Sequence, residues 1–143
     1  TMACMGDLFA EGSKCIYVAP SGGRDRKDSH GELIPCAFDP KSIAMLDLMA
    51  RNSPLPVHFF PLALTTYNIL PPPDSIGGEL GEKRPVHYDS VGISFGEEID
   101  KTLLLEKIHS KKHSSSKEEL RQLQAKIIYD SMYERYLGLI KNK

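Results

Sequence analysis

Arg24 and Arg26 stand one residue apart, directly after Pro20-Ser21-Gly22-Gly23. Guanidinium groups are planar, permanently charged forks that bind phosphate oxygens bidentately, so an Arg-x-Arg pair suits an anion site. Two glycines permit positive φ and close backbone approach, which lets the turn direct N–H groups at a ligand. The residues before the turn, Cys15-Ile16-Tyr17-Val18-Ala19, are apolar and partly β-branched and predict a buried strand. Strand, turn and arginines together predict the wall of an anion pocket at the carboxyl end of an α/β sheet, where such sheets bind ligands. The alternative is a plain turn, with Arg24, Asp25 and Arg26 solvated and paired among themselves. The motif is neither a Walker loop, because no Gly-Lys-Ser/Thr follows, nor a dinucleotide fingerprint, because a third glycine is missing at the required spacing.

Other reactive side chains are scattered. Cys4, Cys15 and Cys36 are odd in number and lack paired metal spacing, which predicts a reducing compartment and buried thiols; no metal site is expected. His58 opens an apolar run and reads as structural. The net charge is −1, which gives no nucleic-acid footprint for the whole chain. It is unevenly spread: residues 1–99 hold 8 basic and 13 acidic residues (−5), and residues 100–143 hold 10 and 6 (+4). That lysine-rich tail reads as a solvated helical face or as a docking surface for an acidic partner.

The elements that must position these groups follow from patterning. With 143 residues, 41% hydrophobic and 26% charged, the chain has the size and composition of one globular domain. No apolar stretch approaches the ~18 residues of a membrane span, and no signal peptide is visible. Met2, Met5 and Phe9 share a helical face that ends near Gly12, which predicts a chain starting in mid-structure. Leu33 to Phe38 read as an edge segment, since Pro35 cannot donate to a ladder. Asp39-Pro40 is a helix start, and Ile43, Leu46 and Ala50, with Met45 and Met49 alongside, carry the helix to about Asn52. Val57 to Tyr67 predict a strand buried on both faces. Pro85 to Phe95 predict a third strand with a break near Gly92. Glu97-Glu98 should open a helix running to about His109. Ser116 to Glu119 form a capping box, and Leu120, Leu123, Ile127, Met132, Tyr136 and Leu139 mark a long amphipathic helix behind it. The expected fold is α/β, a layered domain with a mixed sheet followed by a helical tail.

Five segments in order, Ala19-Pro-Ser-Gly-Gly-Arg-Asp-Arg26, Phe38-Asp-Pro-Lys-Ser-Ile-Ala-Met-Leu-Asp-Leu-Met49, Phe59-Phe-Pro-Leu-Ala-Leu64, Asn68-Ile-Leu-Pro-Pro-Pro73 and Gly81-Glu-Lys-Arg-Pro-Val-His-Tyr-Asp-Ser-Val-Gly-Ile-Ser94, resemble the soluble, plastid-type glycerol-3-phosphate acyltransferases. The likeness covers roughly residues 8–100. It implies transfer of a fatty acyl group from acyl carrier protein or coenzyme A to the first hydroxyl of glycerol 3-phosphate, giving lysophosphatidate, the first step of phospholipid synthesis. It implies that Arg24 and Arg26 grip the phosphate and that Ser21, Gly22 and Gly23 shape the site. Lys83 and Arg84 match a Gly-Glu-Lys-Arg segment to which no role is assigned. No cofactor is implied beyond the acyl donor. The implied compartment is a bacterial cytoplasm or a plastid stroma, with no transmembrane segment and at most peripheral membrane contact for product release.

One element of the resemblance is missing. The family's base is an H-x-x-x-x-D pair, with His removing the proton of the acceptor hydroxyl and Asp orienting it. Five residues after His30, His58, His87, His109 and His113 stand Pro35, Ala63, Gly92, Ser114 and Glu118. The pair is therefore expected upstream of Thr1, so that residues 1–100 form part of the catalytic α/β domain and 101–143 its C-terminal helical segment. The chain would then resemble the C-terminal part of the enzyme and be inactive alone. Two rival functions stand beside this: a lysophosphatidate acyltransferase, and a non-catalytic phosphate- or partner-binding domain.

Overall fold

The computed structural model describes residues 2–22, 25–27, 31, 33–71, 85–110 and 116–141. In chain order the elements are α1 (Met2–Glu11), β1 (Arg26–Lys27), β2 (Leu33–Ile34), α2 (Pro40–Asn52), β3 (Leu62–Thr65), β4 (Gly92–Phe95), α3 (Lys101–His109) and α4 (Lys117–Lys141). Helix and strand content agrees with an α/β chain. The sheet differs from expectation: among the described residues the strands form two antiparallel pairs, β1 with β2 and β3 with β4, where a mixed sheet was expected.

Local chemistry explains the helices. The Asp39 carboxylate accepts from the N–H groups of Lys41 and Ser42, and Pro40 fills the first helical position of α2. Ile43, Leu46 and Ala50 are its buried face. In α4 the Ser116 hydroxyl accepts from the Glu119 N–H (3.2 Å), and the Glu119 carboxylate accepts from the Ser116 N–H (2.6 Å), a reciprocal capping box as the sequence predicts. Helix α3 starts later than expected. Asp100 caps it, accepting from Thr102 and Leu103, while Glu97 and Glu98 stay outside. A cap must sit immediately before the first turn, and Glu97-Glu98 lie too far upstream.

Helix α4 packs against α2 and across β3 and β4. Ala63 of β3, Met132 and Tyr136 form the buried cluster, flanked by Phe38, Tyr129, Tyr133 and Leu139. This one-sided cover corrects the expectation of a strand buried on both faces. Ala63 and Thr65 are buried and Leu62 and Leu64 only half-buried, an alternation that follows from the two-residue period of a strand. The β3–β4 register runs Leu62↔Phe95 to Thr65↔Gly92, so of the strand expected over Pro85 to Phe95 only the part from Gly92 onward is formed. Gly92 is also there for space. Its N–H donates to the Thr65 hydroxyl (3.1 Å), and a side-chain carbon at Gly92 would collide with that oxygen. Beyond β3 and β4 the extended chains stay joined, as the Gly96 and Ile99 N–H groups donate to the Pro61 and Phe59 carbonyls (2.8 Å each).

Two other expectations are corrected. Residues 14–19 are not a paired strand: Ile16 and Val18 are half-buried, while Cys15, Tyr17 and Ala19 are exposed. An apolar run specifies burial of side chains but not a hydrogen-bonding partner. Cys4, Cys15 and Cys36 are exposed rather than buried thiols: Cys4 lies in α1, Cys15 and Cys36 lie in chain outside helix and strand, and none belongs to the buried cluster under α4. No helix among the described residues is long and apolar enough to cross a membrane.

The Asp39 cap makes a prediction for acid. Hydrogen bonds from the Ser42 hydroxyl and backbone, and then from Lys41, hold its pKa below the ordinary 3.8. A depressed carboxylate pKa contributes stability that is present above 3.8 and lost as pH falls through the folded value. Asp39→Asn should therefore flatten the loss of stability below about pH 4, read as urea midpoints between pH 2 and 6.

Candidate functional site

The turn that opens the Arg-x-Arg motif is formed as its residues demand. The Gly22 N–H donates to the Ala19 carbonyl (3.2 Å), closing a four-residue turn with Pro20 at its second position. Ser21 has no positive φ, which makes the turn type I; Gly22 follows at φ +69°. The Pro20 carbonyl accepts from the Asp39 N–H (3.1 Å), tying the turn to the start of α2. Gly22 is required for conformation rather than for room, since among the described residues no atom lies within 4 Å of where its Cβ would be. Gly22→Ala should cost about 1–2 kcal/mol and Gly22→Asn less, because Asn tolerates left-handed backbone. Urea midpoints of the two variants check this.

Ser21 and Asp25 line a cleft of about 720 Å³ whose walls include Val18, Leu64, Ile128 and Met132. That volume lies within the roughly 300–1,000 Å³ typical of small-molecule sites. The apolar segment 14–19, expected as a central strand, instead walls this cleft. Arg26 is placed by its backbone, as the first residue of β1 opposite Ile34. Its side chain lies outside the described residues, as do Gly23, Arg24, Lys83 and Arg84 altogether. The structure thus places Ser21 and Asp25 in the wall of the cleft, and the Arg26 backbone in β1 directly after Asp25.

A second group was not foreseen from the sequence. Asp25, between the two arginines, is half-buried, and its Oδ1 accepts from the Cys36 N–H (2.8 Å). The Tyr129 hydroxyl donates to the Pro35 carbonyl (2.7 Å) and the Tyr136 hydroxyl to the Leu33 carbonyl (3.2 Å). Burial pushes both phenols above the usual 10.0, with smaller contributions from neighbouring groups that include Asp25. Both are therefore protonated donors at neutral pH. The only sequence signal was helical spacing, which marked Tyr136 as core and said nothing of its hydroxyl.

Elsewhere His58 Nδ1 lies 2.7 Å from Glu98 Oε1, joining the chain entering β3 to the chain leaving β4. Lys101 beside it donates to the Val57 carbonyl and lies over the Phe59 ring at 5.1 Å. This agrees with a structural His58. Among the described residues no group of three or more His, Cys, Asp or Glu side chains could hold a metal ion.

Among known proteins, the chain is similar in sequence to acyltransferases. It is 38% identical over 130 residues to a chloroplastic glycerol-3-phosphate acyltransferase of Cucurbita moschata, covering 90% of this chain and 27% of the relative. It is 35% identical over 133 residues to that of Pisum sativum and 33% identical over 133 residues to that of Arabidopsis thaliana, covering in each case 92% of this chain and 28% of the relative. No family model matches. The likeness to the plastid-type enzymes read from five segments is borne out, and the chain spans a little over a quarter of the length of these curated relatives.

Proposed function

We propose that this chain supplies the acceptor-phosphate part of a glycerol-3-phosphate 1-O-acyltransferase. The observation that carries the proposal is the tight turn Ala19–Gly22 at the rim of a largely apolar cleft, followed at once by the Arg24/Arg26 pair. An anion-gripping motif beside an apolar cavity suits a reaction joining a phosphorylated acceptor to a fatty acyl chain. Arg24 and Arg26 hold the phosphate, Ser21, Gly22 and Gly23 shape the turn, and Lys83 and Arg84 carry no assigned role. The H-x-x-x-x-D base is contributed by sequence outside these 143 residues, which agrees with relatives more than three times as long. The acceptor hydroxyl, deprotonated by that His, attacks the thioester carbonyl of acyl carrier protein or coenzyme A. The tetrahedral intermediate collapses to the ester and releases the thiol. Holding the phosphate fixes the approach, and positioning of this kind lowers barriers by as much as ~7–11 kcal/mol. No cofactor is needed.

In this proposal residues 1–100 belong to the α/β catalytic domain and 101–143 to its C-terminal helical segment, and the packing of α4 on β3 and β4 supports one domain rather than two. The names of the relatives favour a plastid stroma over a bacterial cytoplasm. The test is acyl transfer by the full-length protein, with glycerol 3-phosphate, lysophosphatidate or glycerol as acceptor. Product with glycerol 3-phosphate alone is expected. Product with lysophosphatidate alone would assign the rival acyltransferase, and no product with any acceptor would leave a non-catalytic phosphate-binding domain.

A further inference from the structure

Helix α4 reaches the arginine motif through a chain of short contacts, and the sequence gives no reason to expect it. The strand carrying Arg26 is only two residues long and pairs with β2 alone, Arg26 opposite Ile34 and Lys27 opposite Leu33. A two-stranded ribbon of that length has no stability of its own in water, so something else must hold it. Three side chains do. The hydroxyls of Tyr129 and Tyr136 grip the carbonyls of Pro35 and Leu33, on either side of Ile34. The Asp25 carboxylate, on the residue just before β1, accepts from the Cys36 N–H, just beyond β2. The tyrosines are themselves immobilised. Tyr129 and Tyr136 each stack on Tyr133, with centroids 5.7 and 6.2 Å apart, and Phe38 meets Tyr129 edge-on at 5.6 Å.

We propose that Asp25, Tyr129 and Tyr136 are positioning residues for phosphate binding, a clamp by which helix α4 sets the backbone from which Arg26 acts. This rests on the acyltransferase function proposed above for its kinetic readout. It also gives the basic C-terminal segment a task in the site other than docking a carrier protein.

The experiment uses the full-length protein with Tyr129→Phe and Tyr136→Phe combined, and separately Asp25→Leu and Asp25→Asn. Phenylalanine keeps the stacked rings and removes only the hydroxyls, while Asn keeps an oxygen able to accept from Cys36. Two readouts are taken: amide hydrogen exchange of the peptide containing residues 25–27, and steady-state kinetics against both substrates. The double Phe variant and Asp25→Leu should exchange at least ~10-fold faster at 25–27 and raise KM for glycerol 3-phosphate by ~10-fold, as expected where a carbonyl or N–H loses its partner. The acyl-donor KM and kcat should stay within about twofold of wild type, a split that general destabilisation would not produce. Asp25→Asn should recover most of the loss. Unchanged exchange at 25–27 in the double Phe variant overturns the clamp, whatever the kinetics. Faster exchange with an unchanged KM for glycerol 3-phosphate, in a wild type that acylates it, overturns the positioning role. If the wild type transfers no acyl group to glycerol 3-phosphate, the functional reading fails and exchange alone decides the clamp.

Discussion

Replacing Arg24 or Arg26 by alanine in the full-length protein is expected to lower kcat/KM for glycerol 3-phosphate by roughly tenfold to a few hundredfold. A charge-assisted hydrogen bond contributes about 1.5–3 kcal/mol, and each ~1.4 kcal/mol is a factor of ten. The loss should fall on the phosphorylated acceptor and leave the acyl donor's KM unchanged, because the role proposed for the arginines is to hold the phosphate alone. Lysine should rescue poorly at either position, since a point charge cannot reproduce a bidentate fork. Kinetics with both substrates varied decide the matter. Unaltered parameters for glycerol 3-phosphate in both alanine variants would remove Arg24 and Arg26 from the site.

The second large effect concerns the fold. Met132 is buried in one cluster with Ala63 of β3 and Tyr136, and it also walls the cleft. Met132→Ala should destabilise the protein by about 2–5 kcal/mol, the transfer term plus the cavity left behind. Met132→Leu preserves volume and should cost less than ~1.5 kcal/mol. Urea unfolding separates the two, with a lower midpoint and an unchanged slope expected for the alanine variant. Because Tyr136 borders the vacated space, Met132→Ala should also loosen the hydrogen bond from Tyr136 to Leu33. Equal midpoints for wild type and Met132→Ala would mean that α4 is not the cover of β3.

The contrast between Tyr136 and Asp25 shows where sequence patterning stops. Helical periodicity placed Tyr136 on the core face of α4, and the structure agrees. The same periodicity cannot say that its hydroxyl ends on the Leu33 carbonyl, 103 residues away in the chain. On the alternative reading of the motif, Asp25 paired locally with its neighbouring arginines. Sequence patterning gave no sign that its carboxylate would accept from the Cys36 N–H, 11 residues away. The residues 14–19 teach the same lesson in another form. Their apolar character predicted a buried strand, but the chain lines a cleft rather than joining a sheet, since strand pairing depends on a neighbour that the run itself does not specify.

By itself, then, the sequence determined the local features: the Asp39 and Ser116 caps, the ends of α2 and α4, the glycine turn at Ser21-Gly22 and the likeness to plastid acyltransferases. The caps, helix ends and turn each depend on residues within a few positions of one another, where steric and hydrogen-bond preferences act without help, and the likeness rests on segments read directly from the chain. Only the tertiary structure decided which strands pair, which face of β3 is covered, and that the Tyr129 and Tyr136 hydroxyls of α4 meet the Pro35 and Leu33 carbonyls beside β1. Apart from the short β1–β2 pairing, those are contacts between residues tens of positions apart, selected by the packing of whole surfaces, and no local preference encodes them.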